Sequence, residues 1–108
     1  MNMSEEGFMK IDKKLTFNFS STASKMMNLK DKDGIMFSLC RRENCVFCYK
    51  EKEESYQVCK DGSFMRVWNK PSAELILRFF GLKEGDAHYF SIRQSGKRFR
   101  LVPKSEYP

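Results

Sequence analysis

The sequence predicts a mostly β protein with two short helices, built from two copies of one hairpin, helix, hairpin unit (ββαββ). Three observations predict this fold class. A stretch of twelve residues recurs at a constant offset, and apolar and polar residues alternate in the segments around it. Turn-forming and helix-capping residues then separate those segments.

The internal repeat is clearest where residues 28–39 align with residues 81–92, an offset of 53. Leu, Lys, Asp, Phe and Ser are identical at five of these twelve positions, which include Leu29 over Leu82 and Phe37 over Phe90. We therefore predict a single domain over residues 1–108, with repeat one at 8–53 and repeat two at 54–104. A unit of about 45 residues buries too little apolar surface to be stable alone, so the copies should share one core.

In copy one, Leu15, Phe17 and Phe19 alternate with polar residues, which indicates a half-buried strand. A turn at Asp12-Lys13-Lys14 should join it to a strand over residues 8–11. Asn28 stands where a helix would end in the left-handed conformation. The last hairpin should run from Ile35 to Cys40 and from Cys45 to Tyr49.

In copy two, Asp61-Gly62 is a strong signal for a two-residue hairpin turn, since glycine accepts the positive φ that such a turn requires. Ser95-Gly96 should turn the last hairpin, between strands at 88–93 and 97–102. A helix should begin at Ala73 with Ser72 as its N-cap and end at Gly81. Its apolar face should comprise Leu75, Phe79 and Leu82, with Glu74 and Arg78 on the wetter side.

The second copy also carries a family resemblance. It rests on the turn Lys60-Asp61-Gly62, on Pro71, on the runs from Leu75 to Arg78 and from Gly81 to Asp86, and on the strand from Phe99 to Pro103. These segments resemble the AbrB/SpoVT (swapped-hairpin, looped-hinge helix) transcription regulators, in which two such units interlock as a compact barrel with a basic face toward DNA. The resemblance implies a tandem, pseudo-twofold AbrB-like barrel within one chain, and it leaves further dimerisation open.

The formal net charge is +6, from 20 Lys and Arg against 14 Asp and Glu, which permits binding to a polyanion through counterion release. Together with the resemblance, this charge predicts a DNA-binding transcription regulator that holds phosphates and uses no cofactor. The predicted DNA-binding residues are Lys13, Lys14, Lys25, Lys60, Arg66, Lys70 and Arg78. The alternative is a protein-interaction module, antitoxin-like or adaptor, that uses the same barrel without DNA and exposes an apolar or aromatic patch.

Four cysteines, Cys40, Cys45, Cys48 and Cys59, raise the alternative of an iron–sulfur or zinc site. The repeat argues against it, because Cys45 and Cys48 lie three apart in a strand and point to opposite faces. Cys48 should face the core, in the place of Leu101, while Cys40 and Cys45 should face outward. We therefore expect no metal site and reduced thiols.

The inventory of residues also disfavours an enzyme. The one histidine, His88, aligns with Ile35 and is expected to be a partly buried packing residue. No glycine-rich phosphate loop is present. The chain has neither an apolar run of membrane-spanning length nor a secretion signal at its start, so we expect a cytoplasmic protein without a membrane partner.

Overall fold

The computed structural model of the chain describes residues 7–52 and 56–104. As the sequence predicts, the protein is mostly β with two short helices. The elements in chain order are β1 (Phe8–Ile11), β2 (Phe17–Phe19), α1 (Ser21–Met27), β3 (Ile35–Cys40), β4 (Cys45–Lys50), β5 (Cys59–Asp61), β6 (Phe64–Val67), α2 (Lys70–Phe80), β7 (His88–Ser95) and β8 (Arg98–Pro103). None of the described helices is both long and apolar enough to cross a membrane.

All eight strands belong to one antiparallel sheet in the order β3-β4-β8-β7-β1-β2-β6-β5, which curls into a half-barrel. Each hairpin pairs internally, and the β2–β6 and β4–β8 pairs join strands from different halves of the chain. The two edges of the sheet approach each other just before β3 and β5, where Gly34 and Gln57 form a single bridge. The backbone N–H of Val58 donates to the Asp33 carbonyl there, at 2.7 Å.

Apolar residues from both halves fill the concave side of this sheet as one contiguous cluster. The largest fully buried side chains are Phe17, Phe19, Phe90, Met9, Ile11, Ile35, Ile76, Leu77, Leu101, Val46, Val58 and Val67. The ring of Phe17 stacks on that of Phe37 with 4.2 Å between centroids. Since β1 pairs with β7 and β2 with β6, the alternating apolar residues of the two halves face the same interior.

Both helices end as the sequence predicts, but the N-cap predicted for α2 is wrong. Asn28 (φ 53°) and Gly81 (φ 68°) adopt the left-handed conformation at the two helix C-termini. The helix α2 begins at Lys70 rather than Ala73, and its N-cap is Asn69, whose side-chain oxygen accepts from the Ser72 backbone N–H. Proline is compatible with the first helical turn, so Pro71 lies inside α2 instead of preceding it.

The predicted apolar face of α2 is wrong at Leu75, whereas Phe79 and Leu82 pack partly against the core. The buried residues of this helix are Ala73, Ile76 and Leu77, whereas Leu75 is 47% exposed. Both sets fit a helical period, and the sheet beneath α2 decides which one is covered.

Two predicted turns are displaced by one residue. The pair Asp61↔Phe64 closes the β5–β6 hairpin, so its turn residues are Gly62 and Ser63. The pair Ser95↔Arg98 likewise closes the β7–β8 hairpin around residues 96 and 97. Glycine occupies the first turn position in both, with φ near 63° and 64°, which places the turns where a positive φ is easiest.

Candidate nucleic-acid interface

The first hairpins of the two halves lie side by side, because β2 pairs with β6 in the sheet order β1-β2-β6-β5. Met9, Phe17 and Phe19 point into the core from these strands, so the alternate residues lie on the outer side. In register across this outer side are Lys10, Asn18, Arg66 and Cys59. We call the outer side of these four strands, together with their two turns, the hairpin face.

Aromatic rings surround Lys10 on the hairpin face. The ring centroid of Phe8 lies 6.3 Å from that of Phe64 and 5.6 Å from that of Tyr89. The ammonium of Lys10 lies 5.5 Å from the Phe64 centroid and 5.8 Å from the Tyr89 centroid. Cation–π attraction at these distances holds the ammonium close to the sheet. Lys10 is absent from the predicted DNA-binding residues, although its place between buried Met9 and Ile11 marks it as outward-facing.

The turn between β1 and β2 presents Lys13 and Lys14 and is fixed by Asp12. One Asp12 carboxylate oxygen, Oδ1, accepts from the backbone N–H groups of Lys14 (3.0 Å) and Thr16 (2.9 Å). The other, Oδ2, accepts from the Asn18 side-chain amide at 3.1 Å. Carboxylate bonds of this kind are charge-assisted, and they add to the backbone hydrogen bond that the Leu15 N–H donates to the Asp12 carbonyl at 2.9 Å. Both lysine side chains are exposed, so the turn offers two cations on a rigid backbone.

On the opposite side of the same four strands, Lys25 and Lys60 line one concavity. It lies between α1 and the β5–β6 hairpin, has a volume of about 380 Å³, and includes Phe64 and Met65 in its wall. Both lysines are exposed, and the backbone N–H of Lys60 donates to Asp31 Oδ1 at 3.1 Å. This contact anchors β5 to the segment after α1.

Arg66 occupies the middle of the hairpin face but already has an anionic partner. Its Nε lies 3.2 Å from Asp61 Oδ2, close enough for an ion pair although the alignment is not that of a hydrogen bond. Because a phosphate would compete with this carboxylate, Arg66 is a weaker anion site than the unpaired lysines around it.

The structure separates the two predicted cations of α2. Lys70 is exposed at the start of the helix, and the Phe17↔Val67 pair brings the β1–β2 turn to that same end of the sheet. Lys70 therefore lies on the side of Lys13 and Lys14. Arg78 instead lines a groove with Leu75 of its own helix and Arg41 of the β3–β4 loop. Of the seven predicted cations, Lys13, Lys14, Arg66 and Lys70 therefore lie on or beside the hairpin face. Lys25 and Lys60 line the concavity on the opposite side of the strands, and Arg78 lies in a separate groove.

The cysteines do not gather around a common point. Cys48 is fully buried and faces the core as predicted, and burial raises the pKa of its thiol far above the ordinary value. Cys40 and Cys45 pair directly across the β3–β4 hairpin on its outer side. Cys45 faces the outer side as expected, but its side chain is fully covered there. Burial raises the Cys45 pKa, and the Arg100 guanidinium beside it acts in the opposite direction.

Cys59 is exposed on β5, at the other edge of the sheet from β3. Within residues 7–52 and 56–104, no group of three or more His, Cys, Asp or Glu side chains is arranged to hold a metal ion. His88 is half-buried opposite Ile11, and its Nε2 lies 2.5 Å from the Lys83 carbonyl oxygen. This hydrogen bond ties the segment after α2 to β7, a structural role for the ring.

Comparison of the chain with models of protein families, with curated proteins and with solved structures finds no match.

Proposed function

We propose that this protein is a DNA-binding transcription regulator of the AbrB-like type, which holds duplex DNA against the hairpin face through phosphate contacts. The observation that carries the proposal is the β2–β6 pair, which sets the first hairpins of both halves side by side. Lys13 and Lys14 then stand at one end of a continuous face with Lys70 beside them, whereas Lys60 lines the concavity on the opposite side of the strands. The resemblance of the second half to AbrB/SpoVT regulators adds support.

The pairing pattern supports a pseudo-twofold relation between the halves. Under a twofold operation that exchanges the halves, the β1–β2 hairpin corresponds to β5–β6, and the β3–β4 hairpin corresponds to β7–β8. The β2–β6 and β4–β8 pairs each join one strand to its own counterpart, as strands on a twofold axis must. The β1–β7 pair has only the Gly34↔Gln57 bridge as its counterpart, so the relation is approximate at the edges.

The packing of the helices supports an interlocked arrangement of the halves. A groove beside α2 is lined by Leu39 and Arg41 from the first half, and a groove beside α1 is lined by Ile92 and Gln94 from the second. The 53-residue offset relates these positions, Leu39 to Ile92 and Arg41 to Gln94. In both grooves a helix borders the last hairpin of the other half, as a swapped-hairpin arrangement would require.

The chemistry of the hairpin face suits a phosphate backbone. Lys13, Lys14 and Lys70 on or beside this face are exposed, as are Lys25 and Lys60 on the opposite side. None of the five forms an ion pair with a described acidic residue. Such contacts position a protein on DNA without reading its sequence, because phosphates are alike at every base pair. Sequence selectivity then comes largely from DNA shape and deformability.

Fluorescence anisotropy with a labelled random-sequence duplex over a salt series tests the proposal. Each lost phosphate contact should reduce the slope of log affinity against log salt concentration by about 0.9. The variant Lys13→Ala/Lys14→Ala/Lys70→Ala should therefore lose a slope of about 2 to 3. The matched control, Arg42→Ala/Lys83→Ala/Lys97→Ala, removes the same charge from exposed positions on the second hairpins and after α2.

The control variant should change the slope by less than about 0.9, the contribution of one phosphate contact. If the wild type does not bind duplex at low salt, the proposal is wrong. If both triple variants reduce the slope equally, net charge alone explains binding and the hairpin face has no special role.

A further inference from the structure

Beside α2 lies a second surface, which DNA binding by the hairpin face does not use. Its residues are Leu39, Arg41, Asn44, Leu75, Arg78 and Phe79, and we call it the α2 groove. Leu75 and Phe79 are one helical turn apart, so they form a short apolar ridge opposite Leu39 of β3. Two guanidinium groups, from Arg41 and Arg78, are positioned along the same groove.

Of the apolar residues of the α2 groove, Leu75 is not needed to cover the core, whereas Leu39 and Phe79 pack partly against it. The core-facing side of α2 is formed by Ala73, Ile76 and Leu77, and Leu75 remains 47% exposed outside it. An exposed leucine beside a half-exposed phenylalanine, rimmed by charge, is typical of a protein interaction site. The groove has a volume of about 380 Å³ and is open on one side. This volume accommodates one or two side chains of a partner.

The charges of the α2 groove specify the partner. Arg41 and Arg78 are exposed, and neither is ion-paired within the described part of the chain. The three ion pairs of the described residues lie elsewhere, and the nearest of them joins Glu43 to Arg100. A ligand that satisfies both arginines must bring carboxylates or phosphates. The apolar ridge between them favours a protein segment over a nucleic acid backbone, which has no apolar side chain to offer.

We propose that the α2 groove binds an acidic segment of a partner protein, with one large apolar side chain on Leu39, Leu75 and Phe79 and flanking carboxylates on Arg41 and Arg78. This site is distinct from the hairpin face and does not depend on DNA binding. Bidentate carboxylate pairing suits arginine and gives the contact its direction.

The other half of the protein provides a built-in control. The groove beside α1 has Gln94 where the α2 groove has Arg41, and Met26 where it has Phe79. Its cations are Arg93 and Lys104, so it has one guanidinium instead of two, and it lacks the aromatic part of the ridge. An acidic and apolar segment should prefer the α2 groove over this counterpart.

The test is selection of a random twelve-residue peptide display library on the folded wild-type protein, with counter-selection on the Leu75→Ser variant. Enriched peptides should carry a large apolar residue flanked by Asp or Glu. By anisotropy, an enriched peptide should bind the Leu75→Ser and the Arg41→Gln/Arg78→Gln variants at least about tenfold more weakly. The matched variant Met26→Ser, on the other groove, should change affinity less than about twofold.

Several outcomes would overturn the inference. They are no enrichment over the counter-selection, enrichment of basic or uncharged peptides, and binding insensitive to Leu75→Ser. If sedimentation shows a dimer that Leu75→Ser dissociates, the groove is instead an interface between copies of this chain. If Arg41→Gln/Arg78→Gln lowers the salt slope for duplex DNA, the groove belongs to the DNA surface. Circular dichroism confirms that each variant is folded, and duplex binding by Leu75→Ser tests the hairpin face separately.

Discussion

The two halves of this protein use the same order of strands and helices but differ in what they bury and what they expose. Residues 8–50 contain β4, whose first four residues are buried, and the buried thiols Cys45 and Cys48. Residues 59–103 contain β5, which is exposed throughout, and the longer helix α2. The two halves therefore bury apolar residues in a similar pattern where they meet. They differ at the sheet edges and helix flanks, which present different surfaces to solvent.

The largest difference between the halves should appear at the aligned pair Phe37 and Phe90. Phe90 is fully buried, whereas Phe37 is partly exposed at the edge of the core. Phe90→Ala should lower the free energy of unfolding by about 3 to 5 kcal/mol, and Phe37→Ala by about half as much. Urea denaturation measures both. Equal losses would mean that the two halves bury this position alike.

The helix N-caps of the two halves should also differ. Ser20 caps α1 by accepting from the Ala23 N–H and also accepts from the Phe8 N–H, at 3.0 Å, so it joins α1 to β1. Asn69 has only the capping bond to Ser72.

We expect Ser20→Ala to cost about 2 kcal/mol of unfolding free energy, Asn69→Ala about 1 and Ser72→Ala less than about 0.5. Thermal melting followed by circular dichroism ranks the three variants. A larger loss for Ser72→Ala than for Asn69→Ala would restore Ser72 as the cap.

Cys48, in the first half, makes the stability of the protein depend on pH. Its aligned partner in the second half, Leu101, has no titratable group. Burial raises the thiol pKa above its ordinary value of 9.0, so above that pH the unfolded state loses its proton first. The unfolded state then binds fewer protons, and stability falls as pH rises.

Between pH 9 and 10 the wild type should lose about 1 kcal/mol more than Cys48→Val, measured by denaturation at both pH values. Identical losses in the two proteins would show that Cys48 ionises readily in the fold. A smaller loss in the wild type would reverse the sign and contradict its burial.

The ion pairs of the two halves should give the smallest effects. Asp61 and Arg66 form an exposed pair at 3.2 Å, so Asp61→Ala should cost less than about 0.5 kcal/mol. Lys50 pairs with Asp33 at 3.4 Å and also donates to the Asn28 carbonyl at the end of α1, at 2.8 Å. Lys50→Met should therefore cost slightly more, about 0.5 to 1 kcal/mol. Denaturation with and without 1 M NaCl separates the charge contribution, and a larger cost for Asp61→Ala would invert this order.

Local chemistry predicts much of this fold. Alternation of Phe17 and Phe19 with polar residues predicts β2, and Asn28 and Gly81 predict the two helix ends, because each signal acts within a few residues. The apolar face of α2 could not be predicted in the same way. Two helical stripes compete there, and the contact of the helix with β3, about thirty-five residues away in sequence, decides between them.

The candidate interface likewise depends on contacts between residues that are far apart in the sequence. Charge and the family resemblance single out the exposed lysines, but they cannot show that Arg78 lies beside Arg41 instead. The placement of Lys10 on the hairpin face depends on the strand register with Asn18 and Tyr89, which is set by pairing across the sheet. Long-range pairing therefore decides which cations act together.

The most direct test of the account is a titration of ¹⁵N-labelled protein with a short random-sequence DNA duplex at low salt, followed by amide chemical shifts. The account predicts that shifts concentrate at Lys13, Lys14, Lys70 and their neighbours on the hairpin face, and that the amides of Leu39, Arg41 and Leu75 in the α2 groove stay in place. Absence of any shift, or shifts centred on the α2 groove, would contradict it.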